Sequence, residues 1–176
     1  MKFLSFMLLF AVSACSALQT ETSSPEPTAS ATHEIYLVRH AEKQGGDDPA
    51  LTPDGTARAV LLAELLADKD LTRIHSTNYK RTLETAAPIA ALTGLEVELY
   101  DASDLTAFAE VLKANPGVHL VVGHSNTTPG LSEALGGDPG TPIYEATEYD
   151  RLYVINLEGD TPTSRIDRFG VRYEAE

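Results

Sequence analysis

An uninterrupted apolar run, Ile35-Tyr36-Leu37-Val38, passes directly into Arg39-His40 and then into a polar loop, and this stretch constrains the fold more than any other. A strand that is apolar at consecutive positions is covered on both faces, as in a parallel sheet flanked by helices. In open sheets of that kind the ligand crevice lies beyond the carboxyl ends of the strands, which is where Arg39 and His40 fall. A permanently charged planar guanidinium beside a group able to act as nucleophile or proton carrier at neutral pH suits an anionic substrate, most simply a phosphate.

The chain then repeats the unit. Thr52-Pro53 is an N-cap followed by proline at the first helical position, and Ala57, Val60, Leu61, Ala63, Leu65 and Leu66 predict a helix ending near Asp68. Leu71–His75 predicts a second strand, and Ser76-Thr77-Asn78 opens a helix to about Leu92 with Arg81 in its first turn, where free N–H groups and the helix dipole favour anions. Leu95–Tyr100 reads as a third strand, Leu105–Ala114 as a helix and His119–Val122 as a fourth strand ending in Gly123-His124. Thr128-Pro129 predicts the cap and start of a further helix, and two late strands fall at 151–156 and 164–169. This alternation predicts a three-layer α/β/α sandwich around a mostly parallel central sheet.

The N-terminus has a different character. Lys2, an apolar run from Phe3 to Val12, and Val12-Ser13-Ala14 before Cys15 have the layout of a secretory signal, too short to span a bilayer as a mature helix. The order Val, Ser, Ala, Cys resembles a bacterial lipobox, which implies export to the cell envelope, cleavage of residues 1–14 and lipid attachment at Cys15. The competing reading is an ordinary signal peptide. Residues 16–32, rich in Ser, Thr, Pro, Glu and Ala, read as a flexible tether, leaving residues 33–176 as one domain. Cys15 is the sole cysteine, so the domain has no disulfide and no thiolate site. A formal net charge of −13 argues against nucleic acid or an anionic membrane face as partner and makes clustered arginines a feature to explain.

Four groups thus fall at strand carboxyl ends: Arg39, His40, Arg81 and His124. Two arginines neutralise a transferring phosphoryl group while a histidine attacks phosphorus in line. A carboxylic acid is needed for the leaving oxygen, and the loop after the third strand offers Asp101, ahead of Asp104, which also suits a helix cap, and Glu42. Lys43 and Asn126 are further candidate phosphate contacts, although Lys43 equally suits a salt bridge and Asn126 a cap. His33, His75 and His119 read as scaffold, and Arg58 and Arg73 as solvated faces.

The stretches Leu37–Lys43, Ser76–Ala86 and Val121–Thr127 together resemble the histidine phosphatase superfamily, in its phosphoglycerate-mutase-like branch. The resemblance runs in order through residues 34–170. It implies the phosphoglycerate-mutase-like fold, His40 as the phosphorylated nucleophile, Arg39, Arg81 and His124 as the phosphate pocket, a small phosphorylated substrate, and no metal or cofactor. The short length and the Ala41-Glu42-Lys43 continuation are similar to small phosphatases, among them phosphohistidine phosphatases and exported sugar phosphatases, rather than to the mutases. Two rivals stand beside this reading. One is a metal-dependent phosphohydrolase using His40, His124 and a carboxylate, for which no close His/Asp ligand spacing exists; the other is a phosphate-ligand binding protein with little or no turnover.

Overall fold

The computed structural model describes residues 32–174. Six strands, β1 (Glu34–Arg39), β2 (Arg73–Ser76), β3 (Val97–Leu99), β4 (Val118–Gly123), β5 (Arg151–Asn156) and β6 (Thr163–Arg168), form one sheet in the order β3-β2-β4-β1-β5-β6. Four helices intervene: α1 (Pro53–Leu65), α2 (Lys80–Thr93), α3 (Leu105–Ala114) and α4 (Thr127–Ala134). The signal, lipobox and almost all of the tether expected for residues 1–32 lie outside the described residues.

Alternation along the strands divides the core. Tyr36, Val38, Ile74, Leu120, Val122, Leu152 and Val154 face one side and pack with Leu62 and Leu66 of and beside α1 and with Ala86 and Ile89 of α2. Ile35, Leu37, Val121, Tyr153 and Ile155 face the other and pack with Phe108 and Leu112 of α3 and Leu131 of α4. Both faces are therefore covered by helices, which is why the central strands are apolar at successive positions.

The sheet is mixed, which corrects the expectation of a mostly parallel one. β1, β4, β2 and β3 run parallel, whereas β5 pairs antiparallel with both β1 and β6. The cause lies in the connections. Residues 157–162 between β5 and β6 are too few for a crossover, so the two form a hairpin. Residues 135–150 carry the chain from the end of α4 to the end of the sheet where β1 stops, so that Leu152 pairs with Val38 and β5 must run backwards. This loop passes beside Arg39 and supplies part of the site.

The apolar pattern of α1 is buried only in part, at Ala63 and at Leu66 just beyond it. Gly55, Arg58, Ala59, Leu62 and Ala63 are buried, while Val60, Leu61 and Leu65 are exposed. Gly55 sets this orientation, since a Cβ there would lie 2.1 Å from the Glu42 carbonyl oxygen, a distance only a hydrogen tolerates. Arg58 is consequently 8% exposed rather than solvated. Its Nε and Nη2 hold the Glu42 carboxylate at 3.0 and 2.7 Å, and its Nη1 donates to the Phe169 carbonyl at 2.8 Å.

Candidate active site

The parallel strands converge on one crevice. His40 follows β1 and its N–H donates to the Gly123 carbonyl at the end of β4 (2.9 Å), while the Ala41 N–H donates to Thr85 Oγ1 of α2 (3.0 Å). These bonds tie the histidine loop to both neighbours. Gly123 is required there, because a Cβ would meet the Thr127 and Tyr100 hydroxyls at 2.9 Å. A topological switch between β1 and β4 thus brings together His40, Arg39, Arg81 and His124, four residues the sequence separates by as much as 85 positions (124 minus 39).

The imidazole of His40 is 3% exposed, and its Nδ1 lies 2.8 Å from the Ala41 carbonyl oxygen. A carbonyl only accepts, so Nδ1 carries the proton and Nε2 presents its lone pair. Burial pushes the His40 pKa down to about 3, and Arg39, Arg81 and His124 push in the same direction against the bond to Ala41. The lone pair is therefore free at neutral pH. The rings of His40 and His124 meet edge to face with centroids 5.6 Å apart.

His124 is oriented by a chain of donors. Thr82 Oγ1 donates to the Thr77 carbonyl (2.8 Å) and accepts from Thr77 Oγ1 (3.0 Å), so Thr77 Oγ1 has a lone pair for His124 Nε2–H at 3.0 Å. The unprotonated Nδ1 then faces Arg81 Nη2 at 3.4 Å. Burial first, then Arg81 and Arg39, lower the His124 pKa to about 4.

Each arginine lies over a tyrosine: the Arg39 guanidinium carbon is 4.1 Å from the Tyr149 ring centroid and that of Arg81 is 4.5 Å from Tyr79. Arg39 Nη1 donates to the Glu148 carbonyl (2.9 Å) and Nη2 to the Glu145 carbonyl (2.7 Å). Arg81 Nη1 is 3.8 Å from Asp48 Oδ1, and that same oxygen accepts the Lys80 N–H at the start of α2 (2.9 Å). Despite these contacts the Nε atoms of both Arg39 and Arg81 are buried without a hydrogen-bond partner. Unpaired buried donors cost on the order of 1–3 kcal/mol each, so two of them in one crevice mark a place built to receive an acceptor.

The other expected site residues fall less uniformly. Lys43 is half-buried and its backbone bridges to Leu51. Asn126 is exposed and stands just before α4, which begins at Thr127, one residue ahead of the expected cap, with no side-chain capping bond. Asp104 caps α3 by accepting the Ala107 N–H (2.9 Å). Asp101 is exposed, its carboxylate accepts the Ser103 N–H (2.9 Å), and that bond draws its pKa below the usual carboxylate value. No hydrogen bond or ion pair joins it to the four-residue cluster. Sequence reasoning missed Thr77, Asp48, Tyr149 and the Glu145 and Glu148 carbonyls. Thr77 stands four residues before Arg81 and was legible as part of that segment; Tyr149 and the two carbonyls carry no local signal. Among the described residues no three His, Cys, Asp or Glu side chains are placed to hold a metal ion.

Residues 35–103, from β1 to the loop after β3, match the histidine phosphatase superfamily (branch 1). The chain is 34% identical over 93 residues to an uncharacterized protein of Mycobacterium tuberculosis, covering 48% of this chain and 46% of that one. It is 35% identical over 74 residues to a probable phosphoglycerate mutase GpmB of Photorhabdus laumondii, covering 38% and 34%. The matched stretches thus span less than half the length of these relatives. The solved structure of the protein histidine phosphatase SixA complexed with tungstate superposes with a TM-score of 0.60 at 19% identity, covering 75% of this chain and 94% of that one. The α/β fold of the described domain is that of histidine phosphatase structures.

Proposed function

We propose that this chain is a metal-independent phosphomonoesterase that works through a covalent phosphohistidine on His40. The observation that carries the reading is the pair of unpartnered buried guanidinium Nε atoms beside an imidazole whose Nε2 lone pair is free. Arg39 and Arg81 take the equatorial oxygens of a phosphate, His124 adds a further contact, and Asn126 and Lys43 border the same crevice in this reading. His40 Nε2 attacks phosphorus in line, the bond to the leaving oxygen breaks, and its electron pair stays with that oxygen, which takes up a proton. The imidazole becomes cationic when it carries the phosphoryl group, and the Nδ1–H bond to the Ala41 carbonyl stabilises that charge. Water then attacks phosphorus and returns the lone pair to His40, releasing phosphate. In this reading Asp101 supplies the proton to the leaving oxygen, against the Ser103 N–H bond that favours its ionised form.

Hydrolysis of an aryl phosphate, followed with and without a chelator, tests the reading. Equal rates are expected, with Arg81→Ala falling by about two to three orders of magnitude, as for loss of one preorganised donor to transition-state charge. Loss of activity on chelation would instead establish the metal-dependent rival. For residues 1–32 the reading remains export with a lipid on Cys15, and it rests on the lipobox-like order of residues 12–15 alone.

A further inference from the structure

A groove of about 420 Å³ is lined by Ser125 and Asn126, which directly follow His124, and by Pro129, Pro142, Ile143 and Glu145, with Glu145 as its one charged side chain. Resting on the phosphatase reading, we propose that this groove is the leaving-group subsite and that Glu145 makes it selective for phosphomonoesters whose alcohol is cationic or neutral over those bearing a carboxylate or second phosphate.

Several observations carry this. Glu145 is held at the rim by its own backbone, whose carbonyl accepts Arg39 Nη2 at 2.7 Å, so its position is coupled to the phosphate pocket. Its side chain is exposed toward the groove, whereas the neighbouring Glu148 is 2% exposed and consumed by Arg151 and Arg168 at 2.6 and 2.8 Å. Burial lowers the pKa of both His124 and Arg39, and against that the Glu145 carboxylate raises each, so its charge is felt on both sides of the pocket. Across the crevice Asp48 adds a second carboxylate beside Arg81. The arginines face the phosphate; no cation lines the groove to meet a second anion. Pro129, Pro142 and Ile143 suit a short hydrocarbon linker between the phosphate and the selected group.

The test compares kcat/KM for ethanolamine phosphate, glycerol 1-phosphate and 3-phosphoglycerate on the wild type, Glu145→Gln and Glu145→Lys. At an interaction of a few ångström near the surface the wild type is expected to favour ethanolamine phosphate over 3-phosphoglycerate by roughly tenfold or more. Glu145→Gln narrows this ratio toward one and Glu145→Lys inverts it, with the gap closing as salt is raised. A wild-type ratio at or below one, or a ratio that Glu145→Lys leaves in place, overturns the proposal. So does an equal fall for all three substrates, which is the behaviour of a proton donor and not of a charge filter. Calorimetric Kd values for the same three ligands give the ranking independently of turnover. A chain that binds in the expected order and hydrolyses none of them sinks the phosphatase reading alone.

Discussion

Replacing Arg58 with alanine is expected to destabilise the domain markedly and to loosen the loop that follows His40, where Glu42 is its partner. The guanidinium makes two contacts of 3.0 Å and one of 2.7 Å to the Glu42 carboxylate and donates to the carbonyls of Phe169 (2.8 Å) and Val171 (3.2 Å). Hydrogen bonds to charged groups contribute about 1.5–3 kcal/mol, and stranding one partner of a buried pair costs about 3–5 kcal/mol. Glu42 is 24% exposed, so water recovers part of that loss. A net cost of about 2–4 kcal/mol follows, which for a domain of this size lowers Tm by roughly 5–15 °C. Urea unfolding of Arg58→Ala, Glu42→Gln and the double variant measures it, and the double variant should lose less than the sum of the two singles by about 1 kcal/mol or more. A loss under about 0.5 kcal/mol for Arg58→Ala would return Arg58 to a solvated face.

Acid should destabilise the domain well before its carboxylates titrate. Burial first holds the folded pKa of His40 near 3 and those of His75 and His124 near 4, all below the ordinary 6.5, so the unfolded chain binds more protons in between. Stability is therefore complete above about pH 6.5 and falls through the window down to about pH 4, at about 1.4 kcal/mol per pH unit for each histidine; urea midpoints from pH 7 to 4.5 check this, and a flat profile contradicts it. Cys15→Ser is expected to move the protein from the membrane fraction to the soluble fraction of its host, and a wild type already soluble and unlipidated would remove the anchor.

All ten secondary-structure elements were legible because each depends on local pattern: apolar runs for β1 and β4, Thr52-Pro53 for the start of α1, Asp104 as the cap of α3. That Arg39, His40, Arg81 and His124 meet in one crevice was legible for the same reason, since each sits at a strand end or a helix start. What was not legible depends on contacts distant in sequence. The reversed direction of β5 follows from where residues 135–150 travel, and the inward face of α1 follows from the close approach of Gly55 to the Glu42 carbonyl. The helix periodicity of α1 favoured Val60, Leu61 and Leu65, yet a backbone contact outweighed their apolar area. The tyrosine platforms under the arginines belong to the same class: Tyr149 reaches Arg39 only because β5 folds back beside β1. The position of Asp101 after β3 predicts a place at the crevice, and the Ser103 N–H gives its carboxylate a local partner instead.

Transfer of the phosphoryl group to His40 is tested by rapid quenching of the enzyme during turnover of a ³²P-labelled phosphomonoester. An alkali-stable, acid-labile label is expected that maps to the peptide containing His40 and is absent from His40→Ala, whose hydrolysis is lost as well. Turnover with no protein-bound label, together with hydrolysis persisting in His40→Ala, would contradict it.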